Sequence, residues 1–510
     1  MPVANVEIAR ELDRIADLLD IEGANPFRVR AYRRAARIVD TLPRGVGEML
    51  AAGEDLADLP GIGKDLAEKI GSIAAGRTLP MMAELEREAP PGITALLGLP
   101  GLGPKRVHLL HEHLGISDIA GLRAAVLAGT LRDVPRLGAG IEAKLRQALA
   151  APAEQARRIR LREAEQIAQP LLRRLRGTAD VMQAEVAGSY RRRRETVGDL
   201  DVVVATPAAE AVIARFVADE DIAGIIEQGP TRASVTLRQG LQLDLRAVAP
   251  DSLGSALLYF TGSKAHNIAL RRIAVAKGWK LNEYGLFDGD RRIAGRTEEE
   301  VYARLGLCFI PPELREDQGE VAAAQQGRLP HLVTLADMRG DLHAHTIATD
   351  GRSTLAAMAE AARARGYAYL AITDHSRRLA MAHGLGPREL RRQIDAIHRL
   401  NAAGAGLTVL AAIEVDILED GTLDLPDSVL KDLDLVVGAI HSHFDLPQAR
   451  QTERLLRAMD NRHLDIIAHP TGRLLTKRPS YDLDFARLLR AARERGCHFE
   501  INAQPDRLDL

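Results

Sequence analysis

Asp199 and Asp201 stand two residues apart in Gly198-Asp199-Leu200-Asp201. On a strand, that spacing turns both carboxylates to one face. A third carboxylate, Asp244, sits in Leu243-Asp244-Leu245, just before Arg246. Like charges crowded together are costly unless cations lie between them. Three carboxylates converging from neighbouring strands suit a two-metal phosphoryl-transfer site. There one metal activates an attacking 3′-oxygen and the other steadies a leaving pyrophosphate. Upstream, Gly188-Ser189 offers a tight turn and a hydroxyl for a triphosphate. Arg192, inside the run Arg191-Arg192-Arg193-Arg194, can neutralise charge on it. An isolated Asp-x-Asp is ordinarily a solvated strand edge; the surrounding string is what makes this one a site.

A second chemistry lies downstream. Ten of the fifteen histidines follow residue 340. His343 and His345 share a face in Asp341-Leu342-His343-Ala344-His345. Asp350, Thr373-Asp374-His375, Glu414, His441-Ser442-His443 and Asp465-Ile466-Ile467-Ala468-His469 follow. Each falls at or just past the end of an apolar strand-like stretch, where the active sites of β/α barrels form. Imidazole mixed with carboxylate suits Zn²⁺ or Mn²⁺.

A third feature is repeated. Leu59-Pro60-Gly61-Ile62-Gly63-Lys64 and Leu99-Pro100-Gly101-Leu102-Gly103-Pro104 are two copies of one string. Val134-Pro135-Arg136-Leu137-Gly138 is a worn third. Glycines around one apolar residue turn the chain sharply between helices and leave N–H groups at a helix start. That arrangement holds a phosphate without reading sequence. Two tandem copies point to DNA-backbone binding through Gly61, Gly63, Gly101 and Gly103.

The elements that carry these residues follow from pattern. Residues 1–150 read as helices broken by Gly and Pro, residues 151–312 as mixed strands and helices, and 155–176 as one helix. Strands alternate with helices after 338, which implies a parallel sheet. At 510 residues the chain exceeds one core. Composition is ordinary for a globular protein, with 46% hydrophobic and 27% charged residues. No stretch reaches the ~18 apolar residues that span a bilayer. The N-terminus lacks a signal-peptide pattern, and two cysteines make no disulfide framework. A cytoplasmic monomer with no membrane partner is expected. The net charge of −2 argues against a generic nucleic-acid binder. Locally, though, residues 28–37 hold five arginines and no acid.

The string from Gly188 to Asp201, with Asp244 and Tyr259-Phe260-Thr261-Gly262-Ser263, Asn267 and Arg271, resembles family X DNA polymerases over roughly residues 1–312. The histidine series resembles the PHP (polymerase and histidinol phosphatase) family. Together these imply a bacterial family X DNA polymerase fused to a PHP domain. Such an enzyme fills short gaps during DNA repair such as base excision repair. Its substrates are gapped or primed DNA with a 5′-phosphate and deoxynucleotide triphosphates.

The first resemblance implies that Asp199, Asp201 and Asp244 hold Mg²⁺ or Mn²⁺. Gly188, Ser189 and Arg192 would meet the triphosphate. Tyr259, Phe260 and Gly262 would lie at the sugar, with Asn267 and Arg271 near the nascent pair. It also matches Tyr32 to a 5′-phosphate contact and Lys69 to the Schiff-base lysine of lyase members. Asp65 stands where those members carry a base; it would raise the lysine pKa, so phosphate binding is favoured over lyase chemistry. The second resemblance implies three metals, Mn²⁺ or Zn²⁺. His343, His345 and Glu414 would hold one, Glu414, His441 and His469 another, and Asp350 and His375 the third. Asp374 and His443 would stand behind them. Its activity would be 3′→5′ exonuclease or 3′-end processing.

The fold expected is multidomain α/β: helical helix–hairpin–helix N-terminal domains, a nucleotidyltransferase α+β palm and an incomplete PHP-type (β/α)7 barrel. The expected bounds are 1–85 for the 5′-phosphate-binding helical domain and 86–150 for a second, fingers-like hairpin domain. The palm would take 151–247, a thumb-like nascent-pair domain 248–312, a linker 313–338 and the PHP domain 339–510. The PHP family also supplies a last Asp-x-His pair that does not follow Glu500-Ile501-Asn502 here. The barrel is therefore expected to be truncated, as a fragment or naturally, with its activity open. Three rivals remain. One is a template-independent nucleotidyltransferase, opposed by the hairpins and Tyr259-Phe260. Another is a non-catalytic DNA-binding scaffold, opposed by the three aspartates. The third is a PHP nuclease carrying an inert polymerase module, opposed by the missing last ligands.

Overall fold

Ile8, Leu12, Ile15 and Leu19 recur at helical spacing, and in the computed structural model they form the buried stripe of α1 (Asn5–Ile21). The structure describes residues 3, 5–40, 42, 44–77, 79–88, 92–97, 99, 102–135, 137, 138, 141, 142, 145, 146, 149, 158–379, 382–404 and 406–510. These separate into two units, 1–329 and 330–510. Among the described residues no helix is long and apolar enough to cross a membrane.

In the first unit, α2 (Pro26–Asp40) packs Val29, Tyr32, Ala35 and Ala36 into the core it shares with α1, and its Arg33 pairs with Asp17 and Asp20 of α1 while Arg28, Arg30, Arg34 and Arg37 are exposed. The first hairpin ends at α3 (Lys64–Ala74), whose N-cap is Gly63. The second ends at α4 (Pro104–Leu114), whose N-cap is Gly103. Gly101 and Arg136 lie outside the described residues.

The helix expected from 155 instead spans Leu161–Arg176 (α5). Residues 155–157 lie outside the described residues, and Ile159–Arg160 pair antiparallel with Thr196–Val197. Glu163 reaches back to accept from Arg160 N at 3.3 Å, which closes the helix start.

The strands that follow are β1 (Gln183–Val186), β2 (Asp199–Ala205), β3 (Ile222–Gln228), β4 (Arg232–Leu237) and β5 (Gln242–Val248). They form one sheet in the order β1-β2-β5-β4-β3. β2 and β5 run parallel, with Asp201 directly opposite Asp244. Leu200, Val202 and Val204 fill the core on one face. On the other, Val203 and Ala205 are buried beside Leu253 and Leu257 of α7 (Leu253–Thr261), reached after the one-turn α6 (Gly188–Arg191). Asp199 and Asp201 share that second face where the cover ends.

α8 (Lys264–Ala276) and α9 (Glu298–Leu305) follow. The segment 313–338 is not a linker throughout, because residues 313–329 belong to the first unit. Arg315 is fully buried between the rings of Tyr302 and Phe309. Its Nη1 donates to Glu298 Oε1 at 2.6 Å. Glu320 accepts from the N–H groups of Asp317 and Gln318 and pairs with buried His266 at 2.6 Å. A proline-led polar stretch reads as linker by composition; here two of its charges, Arg315 and Glu320, find buried partners.

The second unit matches the expected alternation. β6 (Gly340–Ala344), β7 (Tyr369–Ile372), β8 (Thr408–Asp416), β9 (Leu435–Ala439), β10 (Ile466–Ile467) and β11 (His498–Phe499) make one sheet in sequential order, every pairing parallel. Among the described residues β6 and β11 are not paired, so the sheet is curled but open. His343 at the end of β6 reaches Glu500, just past β11, which shows how far it curls.

Arg315→Ala leaves Glu298 buried with Arg191 as its remaining guanidinium partner. Denaturant titration of this variant is expected to show a loss of about 3–5 kcal/mol from the first unit.

Candidate functional sites

Strand register brings Asp199, Asp201 and Asp244 to one end of the β2–β5 pair. Burial, and then the charges of Asp199 and Asp244, push the Asp201 carboxyl up to about 7; Arg246 and Arg192 oppose the shift. A carboxyl so strained toward the neutral form is one that a cation would relieve, so the donor set fits divalent metal. Gln242, opposite Asp199, points its amide at both Asp244 oxygens at 3.4 Å. Gly188 has φ +60, and a Cβ there would run into the Asp201 carboxylate. Only glycine lets the Gly188-Ser189 turn sit this close.

Arg192 does not face empty space. Its Nε donates to Glu316 Oε1 at 2.8 Å and its Nη1 to the carbonyl of Thr261. Its neighbour Arg191 grips Glu298 with both η nitrogens, at 2.9 and 2.6 Å. Tyr259 and Phe260 meet edge to face at 5.0 Å. The Arg271 guanidinium lies over the Tyr259 ring, and Arg246 over that of Phe260. Asn267 donates to the carbonyl of Tyr259 at 2.7 Å. At Gly262, φ is +67, and a Cβ would press on Arg192 Nη1. These residues surround one corner of the palm.

Lys69 donates to Tyr32 OH at 2.9 Å and to Asp65 at 2.6 Å. Burial pulls its pKa down, but these two partners win and the amine is held above its ordinary value. That is the opposite of what a Schiff-base nucleophile needs. Gly61 has φ +92. A Cβ on Gly63 or Gly103 would meet nothing within 4 Å, so the hairpin backbone is open to a ligand.

In the second unit Glu414 is the hub. One oxygen lies 3.5 Å from His343, 3.6 Å from His345 and 2.8 Å from His375. The other lies 3.4 Å from His441 and 2.9 Å from His469. Asp350 joins His345 and His375, each at 3.4 Å. Three donor sets emerge: His343, His345 and Glu414; His345, Asp350 and His375; and His375, Glu414 and His441. The first brings together the three residues expected at one metal. His345 joins Asp350 and His375 in the second set, and His375 joins the third. His469 remains at Glu414.

Buried His345 Nδ1, His375 Nδ1, His441 Nδ1 and Glu414 Oε2 lack hydrogen-bond partners. Although His375 Nδ1 and Glu414 Oε2 are 2.8 Å apart, they are not aligned to bond. Of these, His345 Nδ1, His375 Nδ1 and Glu414 Oε2 lie among the clustered donors and fit cations, whereas His441 Nδ1 faces Asp416. Burial would raise the Glu414 carboxyl, but the imidazoles of His343, His375 and His441 hold it well below its usual range.

The residues standing behind the ligands differ from those expected. Asp374 accepts from Thr346, Thr349 and Gln393, so it staples the loop that carries Asp350. His443 is half-exposed and nearest Glu419. Instead Glu500 Oε1 meets His343 Nδ1 at 2.6 Å, and Asp416 lies 3.4 Å from His441 Nδ1. Carboxylates in such places fix the tautomer and tilt of a ligating imidazole. Both were legible as acids at or just past the ends of parallel strands.

Family models match along the chain. A helix–hairpin–helix domain covers 3–79 and a SAM-like helix–hairpin–helix tandem covers 93–151. The DNA polymerase beta palm covers 158–236, the DNA polymerase beta thumb 256–316 and the PHP domain 341–504. The DNA polymerase/3′-5′ exonuclease PolX of Bacillus subtilis (strain 168) is 37% identical over 99% of this chain and 88% of that protein. The chain belongs to the family X DNA polymerases that carry a PHP domain.

A probable phosphatase of Thermoanaerobacter sp. (strain X514) is 32% identical over 32% of this chain, and the match spans 63% of that relative. A crystal structure of Leishmania infantum polymerase beta in a ternary P/T complex is 23% identical, with a TM-score of 0.30. It covers 43% of this chain and 96% of that one. Membership in the family implies divalent metal at both clusters.

Glu414→Gln keeps the shape of the hub and removes its charge. Mn²⁺ titration followed by paramagnetic resonance is expected to show at least one tight site lost relative to the unmutated chain. The palm-associated sites should persist.

Proposed function

We propose that this chain is a DNA-templated DNA polymerase that fills short gaps during repair. The observation that carries this reading is the register of β2 against β5, which sets Asp201 opposite Asp244 with Asp199 on the same face. Mg²⁺ or Mn²⁺ held by these three carboxylates would activate the primer 3′-oxygen and stabilise the leaving pyrophosphate. Ser189 and Arg192 bind the triphosphate. Tyr259, Phe260 and Gly262 take the sugar. Asn267 and Arg271 face the forming base pair. Tyr32 and Lys69, with the hairpins at Gly61, Gly63, Gly101 and Gly103, hold the backbone and the 5′-phosphate of the gap. Lys69, kept charged by Asp65, acts as a phosphate ligand rather than as a lyase.

The second unit is proposed to trim 3′ ends. Mn²⁺ or Zn²⁺ at the Glu414 hub would supply a nucleophilic water and a Lewis acid. His343, His345, Asp350, His375, His441 and His469 hold it; Glu500 and Asp416 keep two of those rings aligned. Deoxynucleotide triphosphates and gapped DNA are the substrates, and the chain acts as a cytoplasmic monomer.

Extension of a primer across a one-nucleotide gap bearing a 5′-phosphate tests the first reading. Templated insertion is expected with Mg²⁺ or Mn²⁺ and is expected to vanish in Asp244→Ala. No insertion by the intact chain with either metal would sink the polymerase reading and favour a DNA-binding scaffold. Gly188→Ala is expected to displace the Asp201 carboxylate, with circular dichroism and the melting temperature checking that the variant is folded. An ångström-scale shift of that kind is expected to cost about 100-fold in the insertion rate, measured in the same assay.

A further inference from the structure

Two loops leave the strand ends next to the histidine cluster. One follows His469 and the other follows Glu500. Their backbones are laced together: Leu475 N–H donates to the Asp506 carbonyl at 2.7 Å, and Thr471 N–H to Asp509 Oδ1 at 3.2 Å. Arg473 Nε donates to the Arg507 carbonyl at 2.9 Å. Both loops are tied back to the metal-binding strands. Gly472 N–H donates to the His469 carbonyl, and His469 N–H donates to Glu500 Oε2.

This lacing sets Arg478 and Arg507, both partly buried, on the carbonyls of adjacent residues, Gly472 and Arg473. The Arg478 guanidinium lies 3.9 Å from the centre of the Phe444 ring, and its Nε donates to the Gly472 carbonyl. Arg507 Nη1 finds only the Arg473 carbonyl, at 3.5 Å. Among the described residues neither arginine forms an ion pair, and the Arg507 charge is felt both at Arg478 and at His469. Asp509, the buried acid of the same loops, accepts from Thr471 N–H at Oδ1 and leaves Oδ2 without a hydrogen-bond partner; its charge and those of both arginines are felt at Tyr481. Two neighbouring guanidiniums, partly drawn out of water and with no direct ion pair, are stabilised when an anion joins them. Their forked donors match a phosphoryl group.

We propose that Arg478 and Arg507 form an anion subsite that seats a phosphoryl group beside the histidine cluster. The chemical class is a phosphomonoester or a phosphodiester of a nucleic-acid strand. The proposal rests on reading that cluster as a phosphoester-cleaving metal centre.

Inorganic phosphate titrated into the full chain in the presence of EDTA, followed by ³¹P NMR, tests it. Arg478→Gln and Arg507→Gln are each expected to weaken phosphate binding about tenfold or more, with Arg478→Lys falling between. Melting temperatures without phosphate should match the parent, which separates ligand loss from misfolding. A single strand ending in a 3′-phosphate is expected to compete better than the same strand ending in a 3′-hydroxyl. Phosphate binding that is absent in the parent, or unchanged in both glutamine variants, overturns the subsite. Retained phosphate binding by a chain that takes up no Mn²⁺ at the cluster would instead overturn the metal-centre reading alone.

Discussion

Two parallel strands, paired in register, force Asp201 and Asp244 to face each other across the palm sheet with Asp199 alongside. The sheet cannot relieve that repulsion by rotating one side chain away, because the opposite face is packed solid with Leu200, Val202 and Val204. What surrounds the site follows from this. The turn at Gly188 must lack a Cβ, and the arginines nearby sit close enough to oppose the protonation of Asp201. The first unit gathers negative charge at this sheet end and sets Arg192 and Arg246 near it.

The second unit meets the same constraint with different atoms. Glu414 is buried at the end of a strand whose neighbours deliver five imidazoles toward its two oxygens. Hydrogen bonding alone leaves several of these lone pairs unsatisfied. The carboxylates of Glu500 and Asp416 stand on the far sides of two of the rings. Outer carboxylates in such places set the directions of the rings they touch, and ligand direction is how a protein site selects geometry over raw affinity.

Much of this was readable from residue order alone. Period two placed Asp199 and Asp201 together, and the alternation after residue 338 gave the parallel sheet and the strand ends that carry His343, Glu414 and His469. What failed to show were pairings distant in sequence. Arg315 reads as one more charge in a proline-led stretch, yet it is buried against Glu298 and two aromatic rings. Glu500 is 157 residues from the histidine it orients. Asp374 lies beside a ligand in sequence and nonetheless turns to threonine hydroxyls. Local pattern reports which face a side chain takes; it is silent on which distant partner waits there.

The ion pair between Arg192 and Glu316 gives the palm a resident tenant. On the proposed reading, a nucleotide that took the Nε edge of Arg192 would displace a carboxylate, and its binding would be an exchange of anions rather than the filling of a vacancy. Such an exchange would favour the ligand with more charge and more oxygens, and Glu316 would be placed to reclaim its arginine when that ligand leaves.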